Sequence, residues 1–203
     1  MDINNVEDYI KLKATIDSNG EIDSMFYLAV PPVLFPIIAK GISESKLVEK
    51  NNPQGRIVFE KPFGENLKSA QSINKNLWQY FDETQIYRID HYLGKEMIQN
   101  ILVVRFANSV FEKTWNKDSI KSVSIIAKET EGVMQRGNYY DKIGALKDMI
   151  QSHLLQMASL VAMETPMFHD SEEIKNQKIK AMKHFTVNPK DVVLGQYAGY
   201  KDG

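Results

Sequence analysis

The stretch Arg88–Glu96, with the sequence RIDHYLGKE, brings together more chemically useful side chains than any other short window of this chain. His91, Tyr92 and Lys95 can each donate a hydrogen bond to an anion. A short apolar run precedes the stretch and a long apolar-periodic run follows it, which predicts a strand, a polar turn and a helix. Because helix N-terminal amides attract anions, this turn is predicted to hold a phosphate or a carboxylate.

Two further residues of the turn bear on this prediction in different ways. Gly94 lets the backbone approach a ligand closely at the start of the helix. Asp90 cannot serve an anion directly, so its carboxylate suits another task, such as orienting a histidine. The alternative interpretation is an ordinary polar turn between a strand and a helix, with its charges solvated. Composition alone leaves both interpretations open.

His153 is the second candidate for chemistry, because it lies within a long helical pattern, Tyr139–Met163. Its apolar companions on one stripe of that helix are Leu146, Ile150 and Met157. A histidine on such a stripe is either a core residue with a satisfied hydrogen bond or a general base in a partly desolvated site. A base there needs a carboxylate from another element to orient it, and Asp90 is a candidate.

Three more polar residues have both a functional and a structural interpretation. Asp148 precedes His153 by about 140° of α-helix, so it is predicted to be a separate ligand contact or a solvated charge. Lys61, in the sequence EKPFG, follows a strand at the edge where open α/β sheets bind ligands, and it either neutralises a ligand oxygen or is solvated. Its bond to Pro62 can be cis. Glu129 either accepts a sugar hydroxyl or is a surface acid, whereas His169 and His184 receive no role.

The elements that position these residues form two groups along the chain. Up to residue 90, strands alternate with helices, which predicts a parallel sheet with crossover helices. The predicted strands are Met25–Val30, Arg56–Phe59 and Gln85–Ile89, and the predicted helices are Val6–Ile16, Val33–Leu47 and Asn66–Phe81. Beyond residue 90 an α+β portion is predicted. Its helices are Lys95–Ala107, Tyr139–Met163 and Ser171–His184, and its strands are Ile120–Lys128 and Val192–Tyr197.

The sequence contains no G-x-G-x-x-G between a first strand and a first helix, although dinucleotide-binding folds normally open with that turn. The βαβαβ run is therefore predicted to be the second half of a doubly wound sheet. No H-E-x-x-H or other metal-ligand spacing occurs, so no metal is expected. No G-x-S-x-G elbow marks a nucleophilic serine.

Bulk composition excludes several classes of protein. The 203 residues carry a formal net charge of -1, so no global field attracts nucleic acid or an anionic membrane. The chain has no cysteine, which excludes disulfides and thiolate chemistry and is compatible with the cytoplasm. The polar N-terminal residues MDINNVEDY give no sign of a signal peptide. No apolar run reaches the roughly 18 residues of a membrane helix.

Taken together, these motifs resemble the glucose-6-phosphate dehydrogenase family. RIDHYLGKE, EKPFG and DMIQSHLLQ carry the resemblance, and further matches extend over essentially the whole chain. These are FYLAVPP at 26–32, RFAN at 105–108, WN at 115–116, YYDKIGALKDM at 139–149, LVAME at 160–164 and VLGQY at 193–197. So many matches in the family's order make a chance similarity very improbable.

The resemblance implies a reaction and a role for each candidate residue. The family oxidises C1 of glucose 6-phosphate to a lactone in the oxidative pentose phosphate pathway and passes hydride to a nicotinamide cofactor, usually NADP. His153 matches the general base and Asp90 the carboxylate that orients it. The remaining matches are His91, Tyr92 and Lys95 for phosphate, Glu129 and Asp148 for sugar hydroxyls, and Lys61 for both sugar and nicotinamide.

The resemblance also implies a domain organisation and a setting. Residues 1–90 match the second half of a Rossmann-like coenzyme domain, and residues 91–203 match part of the α+β substrate and dimerisation domain. The family's glycine-rich loop has no counterpart here, and the chain is expected to be an internal segment of the enzyme. The parent protein is expected to be a cytoplasmic homo-oligomer, a dimer or tetramer. The alternative is that the chain alone is a non-catalytic phosphosugar-binding or interaction module.

Overall fold

The computed structural model describes residues 1–20, 23–130, 132–134, 137–168 and 170–200. His169, to which the sequence assigned no role, lies outside these residues. The chain divides into two compact units, Met1–Asp90 and His91–Gly203. Each unit has its own cluster of buried apolar side chains, so each is described separately.

The first unit is built on a parallel three-stranded sheet. Its strands are β1 (Met25–Leu28), β2 (Arg56–Phe59) and β3 (Ile86–Arg88), in the order β1-β2-β3. Phe26 of β1 pairs with Ile57 of β2, and Ile57 pairs with Ile86 of β3. Neighbouring parallel strands need a crossover, and a helix lies between each pair along the chain. The predicted α/β class is confirmed.

The described residues of this unit include three α-helices, and polar residues fix where two of them begin. They are α1 (Val6–Asp17), α2 (Phe35–Glu44) and α3 (Leu67–Tyr80). Asn5 accepts a hydrogen bond from the Glu7 amide at the start of α1. Asn66 and Ser69 cap each other at the start of α3. Such side chains replace the partners that the first amides of a helix lack. The predicted helix over 33–47 is shorter, because a 3₁₀ turn, Pro32–Leu34, precedes α2.

Aromatic side chains fill the centre of this unit. Phe59 on β2 and Phe35 at the start of α2 are fully buried, with ring centroids 4.9 Å apart in an edge-on arrangement. Phe63, in the EKPFG sequence after β2, packs edge-on against Phe59 at 5.9 Å. Edge-on contacts of this kind add to the stabilisation that burial provides. The segment that carries Lys61 is therefore anchored to the core by a neighbour two residues away.

The second unit is helical in its described part. Its helices are α4 (Glu96–Phe106), α5 (Ser109–Glu112), α6 (Gly137–Ala145), a π-helix (Leu146–Leu154), α7 (Leu155–Ala162) and α8 (Ser171–Met182). A cluster around Tyr92, Ile98, Met157, Leu160 and Met163 joins α4 to α7. Across the described residues of both units, no helix has the length and apolar character that a membrane span requires.

Two strand predictions in this unit are wrong. Residues 120–128 and 192–197 form neither helix nor hydrogen-bonded strand. Their apolar side chains are largely exposed, with Ile126 at 74% and Val193 at 92%. A strand is stable only when its amides and carbonyls bond to a neighbour, and the sole sheet among the described residues is β1-β2-β3. Both segments have strand composition, but neither has a partner strand among the residues that the structure describes.

Candidate active site

The turn between β3 and α4 carries three side chains of the candidate site, His91, Tyr92 and Lys95. The Lys95 amide donates to the Tyr92 carbonyl at 3.1 Å, which closes the turn. The Lys95 carbonyl then accepts from the amides of Ile98 and Gln99, so Lys95 is the residue from which α4 starts. The Lys95 side chain does not cap the first amides of α4. The predicted strand, polar turn and helix are therefore present, with Lys95 at the helix N-terminus.

His153, from the π-helix, meets the aromatic residues of this turn. The imidazole of His153 stacks on the Tyr92 ring, with centroids 4.2 Å apart and planes inclined by 21°. The His91 ring contacts the same imidazole edge-on at 4.8 Å. His153 is 1% exposed and Tyr92 is buried, whereas His91 is exposed. The structure thus brings together three residues that the sequence predicted as one site.

Lys95 and Glu129 complete the surroundings of Tyr92. The Lys95 ammonium lies 3.8 Å from the centroid of the Tyr92 ring, which is a cation–π contact. The ammonium and the His153 ring thus both lie against the Tyr92 ring. The Tyr92 hydroxyl donates to Oε1 of Glu129 at 3.0 Å. Tyr92 therefore contacts both a cation and an imidazole with its ring and a carboxylate with its hydroxyl.

The π-helix corrects the sequence interpretation of Asp148. An α-helix would turn Asp148 away from His153, but in a π-helix the hydrogen bonds join residues five apart, so the two are neighbours along the axis. Both are buried, Asp148 at 6% exposure, so it is not a solvated charge. Of the predicted apolar stripe, Leu146 and Ile150 are instead 57% and 42% exposed. The wider turn of the π-helix therefore buries Asp148 together with His153 and leaves Leu146 and Ile150 exposed.

Tyr139 is a residue of the site that the sequence analysis missed. Its hydroxyl donates to Oδ1 of Asp148 at 3.1 Å, and the contact is partly buried. A phenol that donates to a carboxylate fixes the direction in which the remaining oxygen points. The sequence signal for Tyr139 was the tyrosine pair that opens YYDKIGALKDM. Tyr139 and Asp148 are nine residues apart and lie in helices of different type, so their spacing does not predict that they are in contact.

Lys61 and Asp90 belong to the first unit, so their predicted roles toward the second unit stay predictions. Lys61 is half-buried and follows β2 at the carboxyl edge of the sheet, and its bond to Pro62 is cis. Its neighbour Glu60 accepts a hydrogen bond from the Tyr27 hydroxyl, and this bond raises the pKa of Tyr27. The same carboxylate accepts from the Lys61 amide at 3.2 Å. Glu60 thus fixes the backbone from which Lys61 projects.

Metal chemistry has no evident centre in the part of the chain that the structure describes. Within that part, no group of three or more histidine, aspartate and glutamate side chains is arranged to hold an ion. What the site does offer is two imidazoles, an ammonium and two carboxylates. These groups suit hydrogen-bonding recognition and proton transfer.

A parallel sheet with crossover helices is the architecture of nucleotide-binding domains, and the second unit adds a buried histidine and a lysine that both contact one tyrosine ring. Comparison with known families agrees. Residues 1–100 match the NAD binding domain of glucose-6-phosphate dehydrogenase, and residues 102–203 match its C-terminal domain. The chain belongs to the glucose-6-phosphate dehydrogenase family.

Individual relatives give the extent of the similarity. The chain is 46% identical over 188 residues to glucose-6-phosphate 1-dehydrogenase 6, cytoplasmic, from Arabidopsis thaliana, which covers 91% of this chain and 36% of the relative. A crystal structure of glucose-6-phosphate 1-dehydrogenase from Mycobacterium avium superposes with a TM-score of 0.89 at 36% identity, over 100% of this chain and 44% of that one.

A second solved structure is described as glucose-6-phosphate dehydrogenase in complex with its substrate glucose-6-phosphate. It superposes with a TM-score of 0.87 at 38% identity and covers 97% of this chain and 42% of that one. The chain thus spans between about a third and a half of the length of the relatives it matches.

Proposed function

We propose that this chain carries the central catalytic segment of an NADP-dependent glucose-6-phosphate dehydrogenase, which oxidises glucose 6-phosphate at C1 to 6-phosphogluconolactone. The observation that carries the proposal is the stack of the buried His153 ring on Tyr92, with the Lys95 ammonium against the same tyrosine ring. This arrangement puts a candidate base beside candidate phosphate ligands. NADP, when bound, supplies the acceptor for the hydride that leaves C1.

His153 acts as the general base. A ring nitrogen of His153 takes the proton of the C1 hydroxyl as hydride leaves the same carbon, and Asp90 stabilises the imidazolium that results. The low exposure of the ring keeps bulk water away and strengthens the charge interactions of the imidazolium. The exposed His91 packs edge-on against the base, so its movement toward a phosphate would open His153 to the sugar.

Substrate binding would exchange contacts that these residues now make with one another. His91, Tyr92 and Lys95 bind the phosphate through hydrogen bonds and the ammonium charge. The Tyr92 hydroxyl, which now donates to Glu129, would turn to the phosphate and release that carboxylate. Glu129 and Asp148 then accept hydrogen bonds from sugar hydroxyls. Asp148 keeps its orientation through Tyr139.

Lys61 is the residue proposed to contact the cofactor as well as the sugar. It lies at the carboxyl edge of a parallel sheet, where doubly wound sheets bind nucleotides, so the residues present fit a nicotinamide at that edge. Glu60 fixes the adjacent backbone. The sequence contains no G-x-G-x-x-G for the pyrophosphate, so this segment provides only part of a complete cofactor site.

The wider setting follows the family. We expect the parent protein to be a homo-oligomer, either a dimer or a tetramer. We also expect it to act in the cytoplasm, because the names of two relatives include the word cytoplasmic. Glucose 6-phosphate and NADP are the proposed small-molecule partners. A net charge of -1 gives no reason to propose nucleic acid or a membrane.

Absorbance of NADPH, followed after mixing protein, NADP and glucose 6-phosphate, tests the proposal. The 203-residue chain is compared with a protein that extends it to the length of its relatives. Turnover is expected in the extended protein, and its absence there would refute the proposal. The second candidate, favoured by the missing glycine-rich loop, is a chain that binds the phosphosugar without oxidising it. Normal turnover by the 203 residues alone would refute that second candidate.

A further inference from the structure

Arg105, near the C-terminal end of α4, is a buried charge that the proposed chemistry does not use. Its side chain is 6% exposed. Nη1 donates to the Leu160 carbonyl at 2.5 Å and Nη2 donates to the Met163 carbonyl at 2.7 Å. These carbonyls belong to the end of α7 and the residue after it, where a helix leaves its last carbonyls without partners. The guanidinium of Arg105, on α4, therefore caps the C-terminal end of α7.

Trp115 contributes to the same cap. Its indole Nε1 donates to the Val161 carbonyl at 2.9 Å, between the two carbonyls that Arg105 binds. The Arg105 guanidinium lies 5.3 Å from the Trp115 ring centroid and 4.6 Å from that of Phe106, so aromatic rings enclose the charge. The motifs RFAN, WN and LVAME, which are separate in the sequence, thus form a single capping cluster.

The buried Arg105 side chain has both an energetic cost and a structural benefit. Burial lowers the pKa of Arg105, while the charge of Glu164 opposes that shift, which reflects the cost of removing a guanidinium from water. The benefit is that the guanidinium supplies donors to the Leu160 and Met163 carbonyls, which would lose these partners without it. What a planar, two-pronged guanidinium provides that an apolar side chain cannot is a fixed geometry between two elements.

The two helices that Arg105 joins carry the two halves of the candidate site at their opposite ends. α4 starts directly after Lys95, and α7 continues the π-helix that holds His153. Ile98 of α4 and Met157 of α7 belong to one apolar cluster between the helices. An α-helix rises about 1.5 Å per residue, so the ends of α4 and α7 that Arg105 joins lie on the order of 10–15 Å from the candidate site. A tilt of one helix by about 5° would therefore displace its other end, at the site, by about 1 Å.

We propose that Arg105 is a positioning residue, which fixes the angle between α4 and α7 and thereby holds the His153 ring against Tyr92 and the phosphate ligands. The catalytic part of this inference rests on the proposed function. Misplacement of reacting groups by about 1 Å costs roughly 100-fold in rate. Arg105 thus affects the reaction without contacting the substrate.

Two substitutions, Arg105→Lys and Arg105→Met, test the proposal, with Arg56→Lys as a matched control in the first unit. Lysine keeps the charge but cannot reach two carbonyls with a planar fork, and methionine keeps the aliphatic volume without the charge. The first readout is nuclear magnetic resonance of the 203-residue chain. We expect both Arg105 variants to weaken the nuclear Overhauser contacts between Tyr92 and His153 and to reduce the ring-current shift of the His153 ring protons, whereas Arg56→Lys leaves both unchanged.

The second readout is turnover in the extended protein, where we expect kcat to fall about 10-fold or more while KM changes less. Variants that melt earlier yet keep the wild-type Tyr92–His153 contacts and kcat would overturn the proposal and leave Arg105 a purely structural residue. If Arg105→Met does not fold, Arg105→Lys decides. Absence of turnover in the wild type as well would contradict the proposed function, and the resonance measurement would then decide the positioning role alone.

Discussion

The rings of Tyr92 and His153 lie nearly parallel, with centroids 4.2 Å apart, although the two residues come from different elements of the second unit. The Lys95 ammonium lies 3.8 Å from the centroid of the same tyrosine ring. Tyr92 therefore connects the residue proposed to take a proton with the residue proposed to bind a phosphate. Substitutions at Tyr92 can separate the contribution of its ring from that of its hydroxyl.

Replacing Tyr92 by phenylalanine and by leucine is expected to give different kinetic losses. Phenylalanine keeps the stacked ring but loses the hydroxyl, and a hydrogen bond to a charged partner contributes about 1.5–3 kcal/mol, so KM for glucose 6-phosphate should rise roughly 10-fold to 100-fold. Leucine also removes the stack, so kcat should fall in addition. Initial rates at varied substrate concentration measure both constants. Equal kcat values for the two variants would contradict a positioning role for the ring.

Gly64 is expected to be required for the segment that carries Lys61. Its φ is +87°, and an added Cβ would lie 2.7 Å from the Ala70 amide nitrogen at the start of α3. Gly64→Ala should lower the free energy of unfolding by about 1–3 kcal/mol through strain and overpacking together. Gly20→Ala is the matched control, because Gly20 has a φ of +95° but open space around it. Urea denaturation that shows equal losses for the two variants would contradict the close approach.

Tyr200 should titrate later than an ordinary tyrosine. Its hydroxyl donates to Asp141 at 2.6 Å, and that hydrogen bond is the main cause that raises the pKa of Tyr200 from 10.0 to about 12. The folded chain holds the phenol proton of Tyr200 more tightly than the unfolded chain does. The contact therefore stabilises the fold fully below pH 10.0, the ordinary pKa, and this stabilisation is lost as pH rises through about 12, the pKa in the folded chain.

Tyrosinate absorbance against pH measures this step. Asp141→Asn should move the latest tyrosine titration to lower pH, and Tyr200→Phe should remove it from the curve. Asp191→Asn, a change of the same type at an exposed position, should leave the curve as in the wild type. A latest step that stays in place when Asp141 is neutralised would contradict this contact.

The sequence predicted the first unit more completely than the second. Alternating strands and helices predict a parallel sheet, and β2 is correctly bounded at Arg56–Phe59 because its apolar run matches its burial. The apolar run of β1 is less informative, since Met25 and Tyr27 are exposed. The turn with His91 and Lys95 could also be predicted, since its polar residues lie between a strand and a helix. Local patterns were sufficient for both features.

Long-range and irregular features could not be predicted in this way. The interpretation of Asp148 assumed 3.6 residues per turn, and the π-helix over 146–154 breaks that assumption. Contacts such as Tyr92–His153 and Arg105–Leu160 join residues more than fifty positions apart, and no local pattern encodes them. Residues 120–128 have strand composition, but whether a strand forms depends on a partner that composition does not reveal.

The central claim is that His153 is the base, and substitution by asparagine tests it most directly. His153→Asn in the extended protein, assayed by NADPH absorbance, should lower kcat by about 100-fold to 10,000-fold, the usual contribution of a general base. Binding of glucose 6-phosphate, measured by calorimetry, should change little, because the phosphate ligands remain. His184→Asn, at an exposed histidine whose ring bonds only to the Lys180 carbonyl among the described contacts, is the control and should keep wild-type kcat. A near-normal kcat in His153→Asn would contradict the account.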